Sequence, residues 1–412
     1  MVVTVFGLGF VGLTTALGFA HYGNKVYGIE IDDERRNTIK NGNIPFLEPG
    51  LKEALNNTLN KNLFITEDVA SAINESEYVF YCVGTPYGEN GEADLSYLFK
   101  AIEQTLPNIE DNNKVILITK STIPPSTTSS KIVPFIESKG KILGKNLFVA
   151  NNPEFLREGY CWEDFIKADR IVVGCDFEEG IKMMETLYKP FNIPFFGVSS
   201  NTGEFIKYLS NSLLATLISY SNEMAELADI FGNIEIAKAF DILHMDKRWN
   251  GGKMATYVYP GCGYGGYCLP KDTCALYSTA KNSGFEPKIL GEVIKRNESM
   301  PEVIAKKIEK QFNKSDKIGI LGLSFKPNSD DVRYSASAKI IKCLQKKGYN
   351  NFIAYDPVAI EEFKKYYNID MEYCNTLQEI LDKADKFIIL TAWEEFRNID
   401  TQKDIIDCRY MR

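Results

Sequence analysis

VVTVF (Val2–Phe6), GLGFVG (Gly7–Gly12), then LTTALGFAHY (Leu13–Tyr22) is the stretch that decides the fold. The first five residues are β-branched or aromatic, as a buried strand requires. Three glycines follow at once, and the apolar run after them has helical spacing and meets its stop at Gly23. Lys25–Glu30 reads as a second strand, so the chain opens with a strand-helix-strand unit. Each glycine has a separate task there. Gly7 makes the tight turn, Gly9 lets backbone approach a pyrophosphate, and Gly12 lets the helix pack closely, with the helix N-terminus facing the phosphates. Glu30 ends the second strand, where a carboxylate accepts hydrogen bonds from a ribose diol and repels a 2′-phosphate. The predicted cofactor is therefore NAD rather than NADP.

Working outward, strands are predicted at Tyr78–Val83, Val115–Thr119, Leu147–Ala150 and Arg170–Gly174, so that 1–195 forms a doubly wound α/β domain. From Asn201 the period changes. Ile206, Leu209, Leu213, Leu217, Tyr220, Met224 and Leu227 recur at spacings of three and four, predicting one helix to Phe231 with Asn201 and Glu204 as a capping pair. Such a helix spans roughly 45 Å, which suits either a link between domains that packs on a partner chain or an intramolecular spine. A second strand-helix-strand unit follows, with strand Ile318–Leu323, loop Ser324–Asp331, helix Ala336–Lys347 ended by Gly348, and strand Phe352–Tyr355. It lacks the three-glycine spacing, which points to a different ligand, the mononucleotide part of a substrate. The expected architecture is α/β, with two Rossmann-like doubly wound domains joined by a long central helix: 1–195, a central region 196–300, and 301–412.

The remaining composition sets limits. Lys plus Arg number 47 against 55 Asp plus Glu, a net charge of −8, which offers no footprint for nucleic acid or an anionic membrane. No run of eighteen apolar residues suggests a membrane span, and the apolar start carries four glycines without a basic leader, so a cytosolic protein is expected. Nine cysteines, an odd number, argue for reduced thiols over a disulfide framework. The only histidines are His21 and His244, so base chemistry falls to carboxylates, a lysine or water.

Chemistry concentrates in Pro260-Gly-Cys-Gly-Tyr264-Gly265-Gly-Tyr-Cys268-Leu-Pro270-Lys271-Asp272. The glycines let backbone approach a ligand, and Pro270 fits the first turn of a helix running to about Ser283. Cys268 just ahead of that helix is favoured as thiolate by the dipole and by Lys271, which makes it the candidate nucleophile. Cys82, Cys175, Cys274 and Cys343 read as core thiols. Cys262, Cys268 and Cys274 are six apart, a spacing no zinc site uses, and no metal is expected. Asp272, one turn from Cys268, orients a water or simply stabilises the helix N-terminus. Lys207 and Asn211 share a helix face, either to bind a reacting carbonyl oxygen or as a solvated face. Glu154 and Glu158 have the same spacing, and a carboxylate there suits a general base.

In order along the chain stand GLGFVG, CVGTP (82–86), KSTIPP (120–125), NPEFLREG (152–159), EFIKYLSN (204–211), GYGGYCLPKD (263–272) and GLSFKPNSDDVR (322–333). By these motifs the chain resembles the UDP-glucose/GDP-mannose dehydrogenase family over nearly its whole length. The resemblance implies a four-electron, NAD-dependent oxidation of a nucleotide-sugar primary alcohol through a thiohemiacetal and a thioester on Cys268, in polysaccharide biosynthesis. UDP-glucose is the first choice of substrate. UDP-galactose, a UDP-N-acetylhexosamine or GDP-mannose, or a two-electron dehydrogenation on the same layout, are the alternatives; a nucleotide-sensing regulator is disfavoured by the thiol and the Lys207–Asn211 pair.

The family also implies roles. Lys207 and Asn211 hold the oxyanion, Thr122 and Asp272 hold the catalytic water, and Glu154 is the base of thioester hydrolysis. Gly7, Gly9, Phe10, Val11, Gly12, Glu30, Arg35, Thr85, Thr122, Glu158, Lys271 and Arg333 fall on the NAD side. Phe155, Leu156, Arg157, Tyr264, Gly265, Lys326 and Arg409 fall on the sugar-nucleotide side. Arg248, in the atypical stretch Lys247–Gly252, stands where the family has an arginine reaching the sugar across a dimer interface. A homodimer through the central helix is the implied assembly.

Overall fold

The computed structural model describes residues 1–86, 88, 92–110, 112–246, 257, 259–399 and 402–411, with the side chains of 227, 230 and 231 outside that description. The chain divides into two compact units, Met1–Leu209 and Ser210–Arg412. The predicted α/β class with Rossmann-like parallel sheets is what the structure has.

In the first unit the strands are β1 (Val2–Phe6), β2 (Lys25–Ile29), β3 (Leu63–Thr66), β4 (Tyr78–Tyr81), β5 (Val115–Thr119), β6 (Leu147–Asn151), β7 (Ile171–Gly174) and β8 (Phe195–Val198). They lie in the order β3-β2-β1-β4-β5-β6-β7-β8, which is the doubly wound order with its switch point between β1 and β4. All pairings are parallel except β6 with β7, which meet antiparallel at Asn151 and Gly174. The central strands are buried on both faces, and so read as continuous apolar runs such as Val115-Ile-Leu-Ile-Thr119. One face packs Leu13, Leu17, Phe19, Phe148 and Leu187, and the other packs Tyr81, Leu98, Ile102, Leu117 and Ile136. Phe19 anchors its side with rings of Phe80, Tyr188, Phe165 and Phe191 at 5.0 to 5.9 Å.

The opening turn behaves as its glycines require. Gly7 has φ +82°, and a Cβ on Gly12 would lie 1.7 Å from Gly7 O, so neither position accepts another side chain. The strands β3 and β8 were not expected from periodicity; each has four residues and β8 is half-exposed.

The second unit holds a parallel sheet of β9 (Ile318–Leu321), β10 (Phe352–Tyr355), β11 (Glu372–Tyr373), β12 (Lys386–Ile389) and β13 (Ile405–Asp407), in the order β11-β10-β9-β12-β13. Asp356, just past β10, holds the place that Glu30 holds past β2. Its carboxylate accepts from the N–H groups of Leu323, Ser324, Val358 and Ala359, from Ser324 Oγ and from Trp393 Nε1, all between 2.8 and 3.2 Å. An acid so saturated has nothing left for a ribose diol, which is the structural counterpart of the missing glycine pattern.

The long helix runs Ser200–Phe231, 32 residues. The expected capping pair does not form. Glu204 Oε1 accepts the Thr128 N–H at 2.7 Å and Asn201 Oδ1 accepts Ser129 Oγ at 2.9 Å, because both side chains turn to a neighbouring loop. Among the described residues no helix is long and apolar enough to cross a membrane.

Candidate active site

In the first unit the site lies at the carboxyl ends of the strands, where open α/β sheets bind ligands. The helix Phe10–His21 begins directly after Gly9 and carries no acidic residue in its first turn. A Cβ on Gly9 would meet no protein atom within 4 Å, so the approach to the first-turn N–H groups is open. That cradle fits a dinucleotide pyrophosphate. Glu30, 5 % exposed, accepts the Leu8 N–H at 2.8 Å and the Asp32 N–H at 3.0 Å, and Arg35 Nη1 stands 3.3 Å from it. Phe10 packs its ring on Phe46 at 4.1 Å, and Val11 follows it in the helix. Thr85 Oγ1 donates to Thr122 O at 3.0 Å, joining the loops after β4 and β5.

Asn152–Arg157 is an irregular loop after β6, so the four-residue spacing of Glu154 and Glu158 is not a helical one; Glu158 sits in the turn that closes the loop. Glu154 Oε1 pairs with Lys207 Nζ at 2.7 Å, with both side chains below 8 % exposed. Burial pushes the Glu154 carboxyl up, but the Lys207 charge and hydrogen bond, the Leu156 N–H and Lys120 outweigh it and leave the group below the usual carboxylate range. Lys207 is thus a buried partner and not part of a solvated face. Its ammonium also lies 5.7 Å over the Phe155 ring, whose other cation is Arg170 at 4.1 Å. Arg157 is held by Asp164 through Nε at 2.8 Å and Nη2 at 2.6 Å.

Three supports of this loop escaped sequence reasoning. Glu48 accepts the N–H groups of Gly159 and Cys161 at 2.8 and 2.7 Å. Lys120 Nζ and Tyr188 Oη both donate to Asn152 Oδ1, at 2.8 and 2.6 Å. Burial pushes Lys120 down to about 8. No local signal marks these partners, which come from 32 to 113 residues away.

The second unit holds the thiol. Cys268 is the first residue of the helix Cys268–Asn282, one step later in register than expected ahead of it. Among the described cysteines it is the exposed one; Cys161, Cys175, Cys262, Cys374 and Cys408 are buried. Cys82, Cys274 and Cys343 are half-buried rather than in the core, since Cys82 lies past the end of β4 and the other two on partly exposed helix faces. Gly263 and Gly266 take φ +92° and +74° to bend the loop before Cys268. Asn297 clamps it, accepting the Tyr264 N–H at 2.8 Å and donating to Tyr264 O at 3.0 Å. Gly265 packs so tightly that a Cβ would lie 2.7 Å from Tyr334 O.

Asp272, 1 % exposed, is one helical turn below Cys268. Its Oδ2 accepts Asn211 Nδ2 at 2.6 Å and its Oδ1 pairs with Lys271 Nζ at 2.6 Å. Arg333 forms a two-point pair with Asp331, through Nε at 3.0 Å and Nη2 at 2.6 Å, and covers the Tyr267 ring at 4.4 Å. Lys326 Nζ lies 5.5 Å over the Phe325 ring. The Arg409 guanidinium packs against Gly261, where a Cβ would lie 2.6 Å from Nη1, and its Nε is buried. Arg248 and the Lys247–Gly252 stretch lie outside the described residues.

Residues 1–192 match the NAD binding domain of the UDP-glucose/GDP-mannose dehydrogenase family, 201–299 its central domain and 319–411 its UDP binding domain. The chain belongs to this family. As a member it is an NAD-dependent oxidoreductase whose substrate is a nucleotide sugar. It is 37 % identical over 404 residues to UDP-glucose 6-dehydrogenase TuaD of Bacillus subtilis, covering 97 % of this chain and 86 % of that one. It is 32 % identical to UDP-glucose 6-dehydrogenase AglM of Haloferax volcanii, covering 98 % and 94 %. A UDP-glucose dehydrogenase structure from Pyrobaculum islandicum superposes with TM-score 0.92 at 33 % identity, covering 100 % and 94 %. A UDP-D-ManNAc dehydrogenase from Pyrococcus horikoshii gives 0.86 at 27 % identity, covering 100 % and 96 %.

Proposed function

We propose that this family member oxidises the primary alcohol of UDP-glucose to the carboxylate of UDP-glucuronate, a four-electron reaction through covalent chemistry on Cys268. The observation that carries this reading is the placement of Cys268: an exposed thiol at the start of a helix, after a loop bent by glycines, one turn above Asp272, which is engaged with Asn211 and Lys271. The relatives named as UDP-glucose 6-dehydrogenases support the sugar assignment.

NAD bound on the Gly7–Gly12 turn supplies the hydride acceptor for each of two oxidations. In the first oxidation the alcohol carbon gives up a hydride and its hydroxyl proton passes to water, leaving an aldehyde. Cys268 Sγ adds to the aldehyde carbon, and the oxygen takes a proton to complete the thiohemiacetal. The second oxidation removes a hydride from the thiohemiacetal carbon and releases its hydroxyl proton to water, leaving a thioester. Water then attacks the acyl carbon, Glu154 takes its proton, and Cys268 departs as thiolate, free for the next cycle. Lys207 and Asn211 stabilise the oxyanions, and Thr122 and Asp272 hold the water. A thiol is what this route needs and a simple alcohol oxidation does not.

The assembly we propose is a homodimer through the long helix, on which Phe205, Leu209, Leu213 and Tyr220 remain about half-exposed. Its place is the cytosol, which suits nine thiols with no disulfide. Its product would serve polysaccharide biosynthesis.

The test is a panel of UDP-glucose, UDP-galactose, UDP-N-acetylhexosamines and GDP-mannose, with NADH counted per carboxylate formed. Two NADH per product from UDP-glucose, and a Cys268→Ala enzyme that binds NAD but does not turn over, are expected. One NADH per product, or normal turnover by Cys268→Ala, would refute the thioester route; turnover confined to another sugar would refute the substrate.

A further inference from the structure

The loop that carries Thr122 leaves β5 and ends in a helical segment built from Thr128–Ile132 and Val133–Ser138. Its near end is pinned by backbone. The N–H groups of Lys120 and Ser121 both donate to Tyr81 O, at 2.9 and 3.0 Å, and Ser121 Oγ donates to Val83 O at 2.6 Å. Its far end is held by a side chain. Thr128 N–H donates to Glu204 Oε1 at 2.7 Å, and just before it the Thr127 N–H closes a turn on Pro124 O at 3.1 Å. Ser126 between them takes φ +70°, a conformation that costs energy for a residue with a side chain, and its carbonyl accepts from the Ser130 N–H at 2.9 Å.

Glu204 is only 3 % exposed, and its Oε2 is buried without a hydrogen bond of normal geometry. Burial pushes its carboxyl up, and the contact with Thr128 opposes that. A buried carboxylate with half its acceptor capacity unused is a costly way to pack a helix, and an apolar side chain would serve stability as well. What the carboxylate does that an apolar group cannot is accept the Thr128 N–H. Glu204 stands three residues before Lys207, on the same helix face. Lys207 in turn grips Glu154, on the loop after β6, and β6 lies beside β5 with Asn152 N–H donating to Thr119 O at 2.9 Å.

We infer that Glu204 is a positioning residue, which anchors the Thr122 loop to the helix bearing Lys207 and so registers Thr122 against the Glu154–Lys207 pair for thioester hydrolysis. The inference rests on the proposed role of Thr122 in holding water. Losing the anchor should spare both oxidations and slow the release of the acyl group.

The test compares full-length wild type, Glu204→Ala and Glu204→Gln by NADH burst kinetics with UDP-glucose, intact-protein mass, and amide exchange at Ser126–Thr128. For Glu204→Ala the expected results are exchange and kcat each changed by about tenfold or more, faster and slower respectively, from the loss of a charge-assisted bond. The KM values stay within about threefold, a first-turnover NADH burst survives, and protein carrying the sugar-nucleotide acyl group accumulates. Glu204→Gln, whose amide oxygen still accepts the Thr128 N–H, should recover most of the rate. Wild-type kcat in Glu204→Ala, or a loss of rate with no burst and no acyl-protein, would overturn the inference. If Glu204→Ala does not fold, Glu204→Asp replaces it, since the shortened carboxylate withdraws from the Thr128 N–H; acyl-protein is then expected with Asp and not with Gln, and the reverse or neither refutes it. If wild type itself never forms acyl-protein when Cys268 is mapped during turnover, the proposed mechanism fails instead, while the exchange result still decides the anchor.

Discussion

Replacing Lys207 by methionine keeps much of the side-chain volume and removes the charge opposite Glu154. The two side chains are 6 % and 7 % exposed and 2.7 Å apart, so the carboxylate left behind would have burial without its main counter-charge. Breaking such a buried pair costs about 3–5 kcal/mol. In a unit of the size of Met1–Leu209 each kcal/mol moves Tm by about 2–4 °C, which gives a fall of roughly 6–20 °C. The pH dependence gives a sharper signature. In the wild type, Glu154 is held below its ordinary range, so the pair's contribution is present above the unfolded carboxylate pKa of about 4.3 and is lost as pH falls through the folded value. In Lys207→Met, burial dominates and raises the group. The folded state then keeps its proton longer than the unfolded chain, and stability from this group is greatest below about pH 4.3 and declines as pH rises. Calorimetric Tm measured from about pH 4.5 to 7.5 should therefore be nearly level from this group in the wild type and fall with rising pH in Lys207→Met. The double variant Lys207→Met/Glu154→Leu, with no buried charge to strand, should regain most of the loss while staying inactive. Equal Tm values within about 2 °C, or parallel pH curves, would refute the argument.

Two further outcomes follow from the nucleotide turn. Gly12→Ala should lower Tm severely, because its Cβ would lie 1.7 Å from Gly7 O, whereas Gly9→Ala, with φ −73° and an open surround, should keep Tm within about 2 °C and lose the stabilisation that saturating NAD confers, about 2.7 kcal/mol at a hundred times Kd. A thermal-shift titration of both variants with NAD decides this, and a normal NAD shift in Gly9→Ala would refute it. Glu30→Gln should keep an acceptor for the Leu8 N–H while removing the charge that repels a 2′-phosphate, with Arg35 already 3.3 Å away to receive one. The preference for NAD over NADP, read as a ratio of kcat/KM values, should narrow by about tenfold; an unchanged ratio would remove Glu30 from cofactor choice.

Much of this protein follows from its sequence alone, because the deciding physics is local. A β-branched run before three glycines, an acid at the end of the next strand, and a cysteine before Pro270 place a strand, a turn and a helix start with neighbours only a few residues away. The structure has those elements within one or two residues of where periodicity puts them. Short edge strands are different. β3, β8 and β11 each end a sheet and are partly exposed, so no continuous apolar run marks them, and they exist because a sheet edge is there to pair with. The charges are different again. Whether Glu204 caps its own helix or holds a distant loop, and whether Asp272 faces water or lies between Lys271 and Asn211, depends on partners 76 and 61 residues away. Glu154 and Lys207 look like ordinary solvent-facing charges in the chain and become a buried pair only when the loop after β6 meets the long helix. Local propensity acts through the backbone of each segment, whereas burial and counter-charge are properties of the place where segments meet. The tertiary structure alone decides them.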